Sequence, residues 1–255
     1  MSPGTAPGAA DPLDKSGTAI REMFAGVAPR YDLLNRLISG FLDERWRRRA
    51  AEALADAPPG PVLDLCAGTG DQARAVQRLG RRVAAADFTV PLLALAHSKF
   101  AGLGSPRPAP LAADALELPF PGGAFAGAVV SFGLRNVADL DRALRELARA
   151  LVPGGRLVVL EAAVPRNRLL RAVHGLWCRR VLPWLGRLLS PRAGAYEYLP
   201  ASVVEFPQRE AFLARMTSAG FTATAFRDLA FGAVCVYTGT LSQETEASDA
   251  PTPER

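Results

Sequence analysis

Gly68-Thr69-Gly70 and the carboxylate of Asp87 carry the spacing on which nucleotide binding is built. Two glycines in a tight turn let a backbone approach a flat ligand. An acid about 20 residues further on can accept both hydroxyls of a ribose. Pro61 to Ala67 reads Pro-Val-Leu-Asp-Leu-Cys-Ala, a short apolar run closed by the glycines, and predicts a buried parallel strand. Asp71 to Leu79 then has helical spacing, with Ala73, Val76 and Leu79 on one face. The glycine turn is therefore a strand-to-helix turn at the carboxyl edge of a sheet, where open α/β folds bind ligands. Asp87 closes the next strand, Arg82 to Asp87.

Two cofactor classes share this layout. Gly68-Thr69-Gly70-Asp71-Gln72-Ala73 satisfies the dinucleotide pattern G-x-G-x-x-A, which points to a nicotinamide-dependent oxidoreductase. Asp71 argues against it, because a carboxylate at the helix start repels a pyrophosphate. Asp64, on the strand before the glycines, suits the amino-acid end of S-adenosylmethionine. Asp114, after a third predicted strand at Leu111 to Asp114, can accept from an adenine amino group. These acids favour S-adenosylmethionine.

The elements that must position them follow in order. Phe125 to Ser131 is a fourth strand, and Asp139 to Leu151 a helix with Leu140, Leu144, Leu147 and Leu151 on one stripe. Pro153-Gly154-Gly155 breaks that helix, and Arg156 to Glu161 is a fifth strand. Alternating strands and helices imply a parallel sheet wound on both faces. Ile20 to Ala57 reads as two helices separated near Pro29, and the run Arg45 to Arg49 as a solvated helix face, with a phosphate-facing patch as the alternative. Leu169 to Leu189 reads as an inserted amphipathic segment, divided at Pro183: a cap helix packed on the core, a lid over an apolar tunnel with its arginines near lipid headgroups, or both. His174 in this segment is a candidate base, and His97 a surface residue.

Composition narrows the classes. The chain has 255 residues, 49% of them apolar, enough for one large domain. Its formal charge is +5, but the lysines are Lys15 and Lys99 alone and the other cations are arginines among abundant alanine. That is a composition bias, and no nucleic-acid motif accompanies it, so nucleic acid is not an expected partner. Cys66, Cys178 and Cys235 are far apart and do not combine with the two histidines at metal spacing, so no metal is expected. No signal peptide is read at the start. Residues 1–19 and 241–255 are read as disordered tails of a single domain spanning 20–240, with the lid at about 165–195.

Four segments resemble the ubiquinone/menaquinone biosynthesis C-methyltransferases: Met23 to Asn35 (Met-Phe-Ala-Gly-Val-Ala-Pro-Arg-Tyr-Asp-Leu-Leu-Asn) with Trp46-Arg47-Arg48; Val62 to Asp71; Ser131-Phe132-Gly133-Leu134-Arg135-Asn136-Val137; and Tyr196-Glu197-Tyr198-Leu199 with Ser202, Phe206-Pro207 and Ala219-Gly220-Phe221. The resemblance implies an α/β, Rossmann-like class I methyltransferase fold. Its sheet would be mostly parallel and seven-stranded, with N-terminal helices and an inserted helical lid. It implies that Thr69, Asp87, Asp114, Ala115 and Ser131 line the cofactor, beside Asp64, Gly68 and Gly70. It implies C-methylation of a polyprenylated quinol: demethylmenaquinol, a benzoquinol counterpart, or both. Another lipophilic aromatic acceptor is the alternative. Departures lie at Gly122, Ala126, Ala162-Ala163 and Tyr237, away from the cofactor turn.

In that reaction a carbon must become nucleophilic, and a quinol achieves this when the O–H ortho to it loses its proton. Arg135 and Asn136 follow the fourth strand, where cofactor and acceptor should meet. Arg135 cannot be a base at neutral pH but can stabilise a phenolate or orient a water; capping a helix or pairing with an acid is its structural alternative. The expected partners are a lipid-tailed quinol and a peripheral membrane contact, with a homodimer left open. The expected place is the cytoplasm, at the inner face of the membrane.

Overall fold

The computed structural model describes residues 15–181 and 194–243. A single seven-stranded sheet has the order β3-β2-β1-β4-β5-β7-β6. The strands are β1 (Val62–Leu65), β2 (Val83–Asp87), β3 (Ala109–Ala112), β4 (Phe125–Ser131), β5 (Leu151–Ala162), β6 (Phe221–Leu229) and β7 (Val234–Leu241). Pairings from β3 through β5 are parallel, and β7 runs antiparallel to both neighbours. The helices α4 (Asp71–Gln77), α5 (Val90–Ala101), α6 (Leu140–Ala150) and α9 (Glu210–Ser218) lie along the chain between strands. β1 and β4 are buried along their whole length, as strands covered on both faces must be.

The order in which strands are added reverses at the centre of this sheet. β1 leads outward to β2 and β3, whereas β4 leads the other way to β5. A crevice opens where two such neighbours part, at their carboxyl ends. The strand-end residues Leu65 and Val130 are in register, so both turns emerge at the same height.

The predicted elements hold with three shifts. The third strand ends at Ala112, leaving Asp114 in a bridge with Glu117 just beyond it. The helix over 139–151 is capped by the Asp139 carboxylate, which accepts from the Arg142 amide at 2.8 Å. It ends one residue early because Leu151 already pairs with Phe125, so Pro153-Gly154-Gly155 lies inside β5 opposite a register shift. At the N-terminus there are three helices rather than two: α1 (Gly17–Val27), α2 (Tyr31–Ile38) and α3 (Asp43–Glu52). Pro29 sits in a 3-10 turn that merely bends the chain, while Gly40 and Phe41, both left-handed, make the second break. α1 also begins inside the stretch read as tail, and β7 reaches Leu241; the rest of both tails lies outside the described residues.

The inserted segment begins as α7 (Arg168–Leu176), capped by Asn167 and continued by a π-helical turn at Trp177–Val181. None of its side chains is buried, and Leu169, Val173 and Leu176 are exposed, so this stripe is not core. Pro183, Trp184 and Leu188 lie outside the described residues. The chain returns as α8 (Gly194–Glu205), with Pro200 inside it.

Beyond α8 the chain turns through Arg209, a buried residue with φ of 54°. Such a conformation is costly for a non-glycine residue and must be held from outside. The Tyr237 hydroxyl accepts from its amide at 2.9 Å, Asp228 takes its Nε at 3.1 Å, and the Gly232 carbonyl takes Nη2 at 3.0 Å. Tyr237 is fully buried, so Tyr237→Phe strands the Arg209 N–H in an apolar environment. The expected loss is about 1–3 kcal/mol, read as a lower urea midpoint at an unchanged slope; an unchanged midpoint would show that the amide finds another acceptor.

Candidate active site

At the mouth of the crevice the backbone is tight. Gly70, with φ of 82°, starts α4, and a Cβ there would sit 2.3 Å from the Phe100 ring. A Cβ on Gly133 would sit 2.3 Å from that of Cys66, so the turns after β1 and β4 touch. Cys66 and Phe132, the residues on either side of that contact, are themselves left-handed.

Asp87 is fixed by two backbone donors. Its Oδ2 accepts from the Gly68 amide at 2.8 Å and its Oδ1 from the Thr89 amide at 2.7 Å. Burial raises its pKa, and these amides oppose the rise. Asp87 lines a cavity of about 120 Å³. The cavity is lined by Gly68, Asp87, Asp114, Ala115, Ser131 and Asn136 among the expected residues, and roofed by Ile20, Phe24 and Tyr31 from the N-terminal helices. Asp114 is exposed, with Oδ1 held by the Leu116 amide at 2.8 Å.

Three of the expected cofactor residues do not line this cavity. Asp64 lies fully buried behind it, both carboxylate oxygens without a hydrogen-bond partner. Burial pushes its pKa up to about 8, against the pull of the Arg47 charge. Gly70 is committed to the helix start. Thr69 donates to Asp32 of α2 at 2.5 Å and accepts from Lys99 at 3.0 Å. Lys99 also reaches Asp32 at 2.6 Å and Asp71 at 2.9 Å, tying the roof to the glycine turn.

A second cavity, of about 420 Å³, adjoins the first. Trp46, Val164, Leu199, Val203 and Val234 give it an apolar wall, and Tyr31, Asn35, Asp43, Arg47 and Arg135 a polar one. Tyr31 and Phe132 line both cavities. His174 lines the second; burial lowers its pKa, and the Cys178 sulfur lies 3.8 Å from its ring. His97 is exposed on α5.

Arg135 and Asn136 divide between the cavities, Arg135 lining the second and Asn136 the first. The Arg135 guanidinium is buried and donates Nη1 to Glu161 at 2.6 Å and to the Phe132 carbonyl at 2.5 Å. Its Nε has no partner. Asn136 accepts from the Tyr198 hydroxyl at 3.1 Å and donates to the Phe132 carbonyl at 3.3 Å. Burial pushes the Tyr198 pKa up to about 12, so the phenol stays protonated to donate.

Arg47 corrects the reading of Arg45 to Arg49 as a solvated face. Arg45, Arg48 and Arg49 are exposed, but Arg47 is buried, lines the larger cavity and lies 5.5 Å over the Phe132 ring. The spacing Asp43, Arg47, Ala50, Ala51, Leu54 marks a buried helical stripe that contains it. Tyr31, Glu161 and Tyr198 were likewise not read from residue chemistry, although Tyr31 and Tyr198 lie in segments that carry the resemblance.

Solved structures share the architecture. An S-adenosylmethionine-dependent methyltransferase from Thermotoga maritima, described as a possible histamine N-methyltransferase, is 19% identical with a TM-score of 0.61, covering 88% of this chain and all of that one. The [4+2]-cyclase SpnF aligns with a TM-score of 0.59 at 17% identity over 89% of this chain and 96% of that one, so the fold alone does not set the chemistry. Sequence relatives are closer. The demethylmenaquinone methyltransferase of Thermus thermophilus is 48% identical over 219 residues, 85% of this chain and 99% of that protein. The ubiquinone/menaquinone biosynthesis C-methyltransferase UbiE of Geobacter sulfurreducens is 43% identical over 233 residues, 89% and 90% of the two chains. The model of the ubiE/COQ5 methyltransferase family matches residues 13–241, and with these relatives it establishes that the chain belongs to that family.

Proposed function

We propose that this chain transfers a methyl group from S-adenosylmethionine to a ring carbon of a polyprenylated quinol, converting demethylmenaquinol to menaquinol or acting on the benzoquinol counterpart. The observation that carries this reading is the meeting of two unlike cavities at Tyr31 and Phe132. One presents Asp87, Asp114, Ser131 and Asn136 among apolar side chains, as a nucleoside requires, and the other is larger and more apolar, as a lipid-tailed ring requires. The catalytic domain is taken as 20–240, with the segment at about 165–195 as its lid.

The residues in and just behind the smaller cavity fit the cofactor. Asp87 has spare lone pairs for two ribose hydroxyls, and Asp114, beside Ala115, has a free oxygen for an adenine amino group. Asp64, with both oxygens unpartnered, suits the cationic amino group. Gly68, Gly70 and Thr69 shape the turn beneath it, and Ser131 and Asn136 border the reacting end. When bound, S-adenosylmethionine supplies a methyl group already activated by its positive sulfur. The chain's task is then to orient, exclude water and create a nucleophile.

Arg135 serves the last task. Its charge, held by Glu161, lies at the polar wall of the acceptor cavity and stabilises the phenolate formed when the quinol passes its O–H proton to a base, for which the imidazole of His174 in the same cavity is the candidate. Asn136, fixed by Tyr198, holds the acceptor's approach from the cofactor side. Tyr31 and Phe132 keep water from the junction.

The tail must come from a membrane. Among the described residues no helix is long and apolar enough to cross one. Instead α7 presents Leu169, Val173 and Leu176 to solvent, with Arg168, Arg179 and Arg180 exposed nearby. This pattern suits peripheral contact with an anionic bilayer at the cytoplasmic face.

Asp87→Ala should weaken S-adenosylhomocysteine binding by roughly 1.5–3 kcal/mol, the worth of a charge-assisted hydrogen bond; unchanged affinity by calorimetry removes Asp87 from the site. The enzyme should methylate the reduced acceptor and ignore the quinone, whose oxygens carry no proton to lose. Arg135→Ala should cut kcat by roughly 10² to 10³ with cofactor affinity nearly unchanged, and Arg135→Lys should restore only part, for want of the planar fork. Labelled methyl incorporation with and without reductant tests both, alongside thermal melts to exclude unfolding. Equal rates on quinol and quinone would sink the phenolate mechanism. Flotation with anionic liposomes should show salt-sensitive binding that Leu169→Asp with Val173→Asp removes; binding that survives both charges would place the membrane contact elsewhere.

A further inference from the structure

Arg47 and Asp64 are a buried guanidinium and a buried carboxyl group that do not meet. Arg47 is 8% exposed, and its buried Nε has no hydrogen-bond partner. Its nearest carboxylate, Asp43 Oδ2, lies 3.9 Å from Nε, beyond hydrogen-bond reach. Asp64 is fully buried with both oxygens unpartnered. No ion pair joins the two, although Arg47 is the strongest pull against the burial that raises the Asp64 pKa. Leaving both unsatisfied is expensive unless a bound group completes them.

The surroundings place this gap at the cofactor's end of the crevice. The Arg47 carbonyl accepts from Gln72 at 3.2 Å, and Gln72 accepts from Ser131 at 2.9 Å, which lines the cofactor cavity. Tyr31, which also feels the Arg47 charge, covers Gly68: a Cβ there would meet its ring at 3.7 Å. Phe132, beneath the Arg47 guanidinium, lines both cavities.

We propose that Arg47 receives the α-carboxylate of the cofactor's amino-acid end while Asp64 faces its ammonium, so that one zwitterion completes both side chains. This rests on the S-adenosylmethionine reading. Arg47 also borders the acceptor cavity, where a phenolate would be the competing anion. Asp64 decides between them, because a quinol brings no cation for a buried carboxylate, whereas an amino acid brings both charges together.

Calorimetry with two ligands separates the outcomes. S-adenosylhomocysteine carries the zwitterion, and 5′-methylthioadenosine lacks it. Arg47→Met should weaken S-adenosylhomocysteine by about 10- to 100-fold and leave 5′-methylthioadenosine within about twofold, as expected for losing one charge-assisted partner. Arg47→Lys should fall between. Unchanged S-adenosylhomocysteine affinity in Arg47→Met overturns the proposal, and with a raised KM for the quinol it hands Arg47 to the acceptor. Equal losses for both ligands overturn it as well. If Arg47→Met does not fold, the unaltered protein still decides: it should prefer S-adenosylmethionine to its decarboxylated analogue by about tenfold or more, and equal affinity refutes the assignment. If the unaltered protein binds none of these ligands, the cofactor reading itself fails.

Discussion

The side-by-side ending of β1 and β4 is the constraint on which the rest of the molecule depends. Two parallel strands in register deliver two turns to one point, and the Cys66–Gly133 approach leaves no room for a side chain between them. Both turns carry a non-glycine residue in the left-handed region, a cost that a packed scaffold must sustain. The sheet core supplies that support, with β1 and β4 buried along their whole length. What emerges is a notch with glycine backbone on one side and Ser131-Phe132-Gly133 on the other. The N-terminal helices need only lie across it to make two chambers from one crevice.

Charge inside this region follows two patterns. Arg135 and Glu161 neutralise each other at contact, which fixes a guanidinium in one orientation while limiting the cost of burying it. Asp87 is buried too, but its partners are amides, so it keeps acceptor capacity for a ligand. Arg47 and Asp64 share neither arrangement. Paired charges stiffen the wall between the chambers, and amide-held or unpartnered ones leave it receptive.

Much of this was legible in the sequence where the signal is local. The β1 run, the glycine turn and Asp87 are set by nearest neighbours along the chain, and the structure brings Gly68, Asp87, Asp114, Ala115 and Ser131 to one cavity. Burial of a charge is not local. Arg47 sits among arginines that face solvent, and only the helical stripe from Asp43 to Leu54 reveals which of them turns inward. Thr69 was expected to face the cofactor, but its hydroxyl is engaged by Asp32 and Lys99, partners 37 and 30 residues away. The exposure of α7 was ambiguous for a related reason: an amphipathic stripe looks the same whether protein or lipid covers it.

The two lysines of the chain both hold the roof, and they do so over very different distances along the sequence. Lys99 grips Asp32, and Lys15, just before α1, pairs with Glu205 at the end of α8 at 2.8 Å. The first helices made during synthesis therefore lack one of their contacts until residue 205 has left the ribosome. Until then α1 and α2 have little to rest on, since their supports are the strand ends and helices that follow them. Long loop closures of this kind are slow steps in folding. The roof is thus expected to be the last part of the domain to assemble and the first to open, which suits a cover that must admit a cofactor.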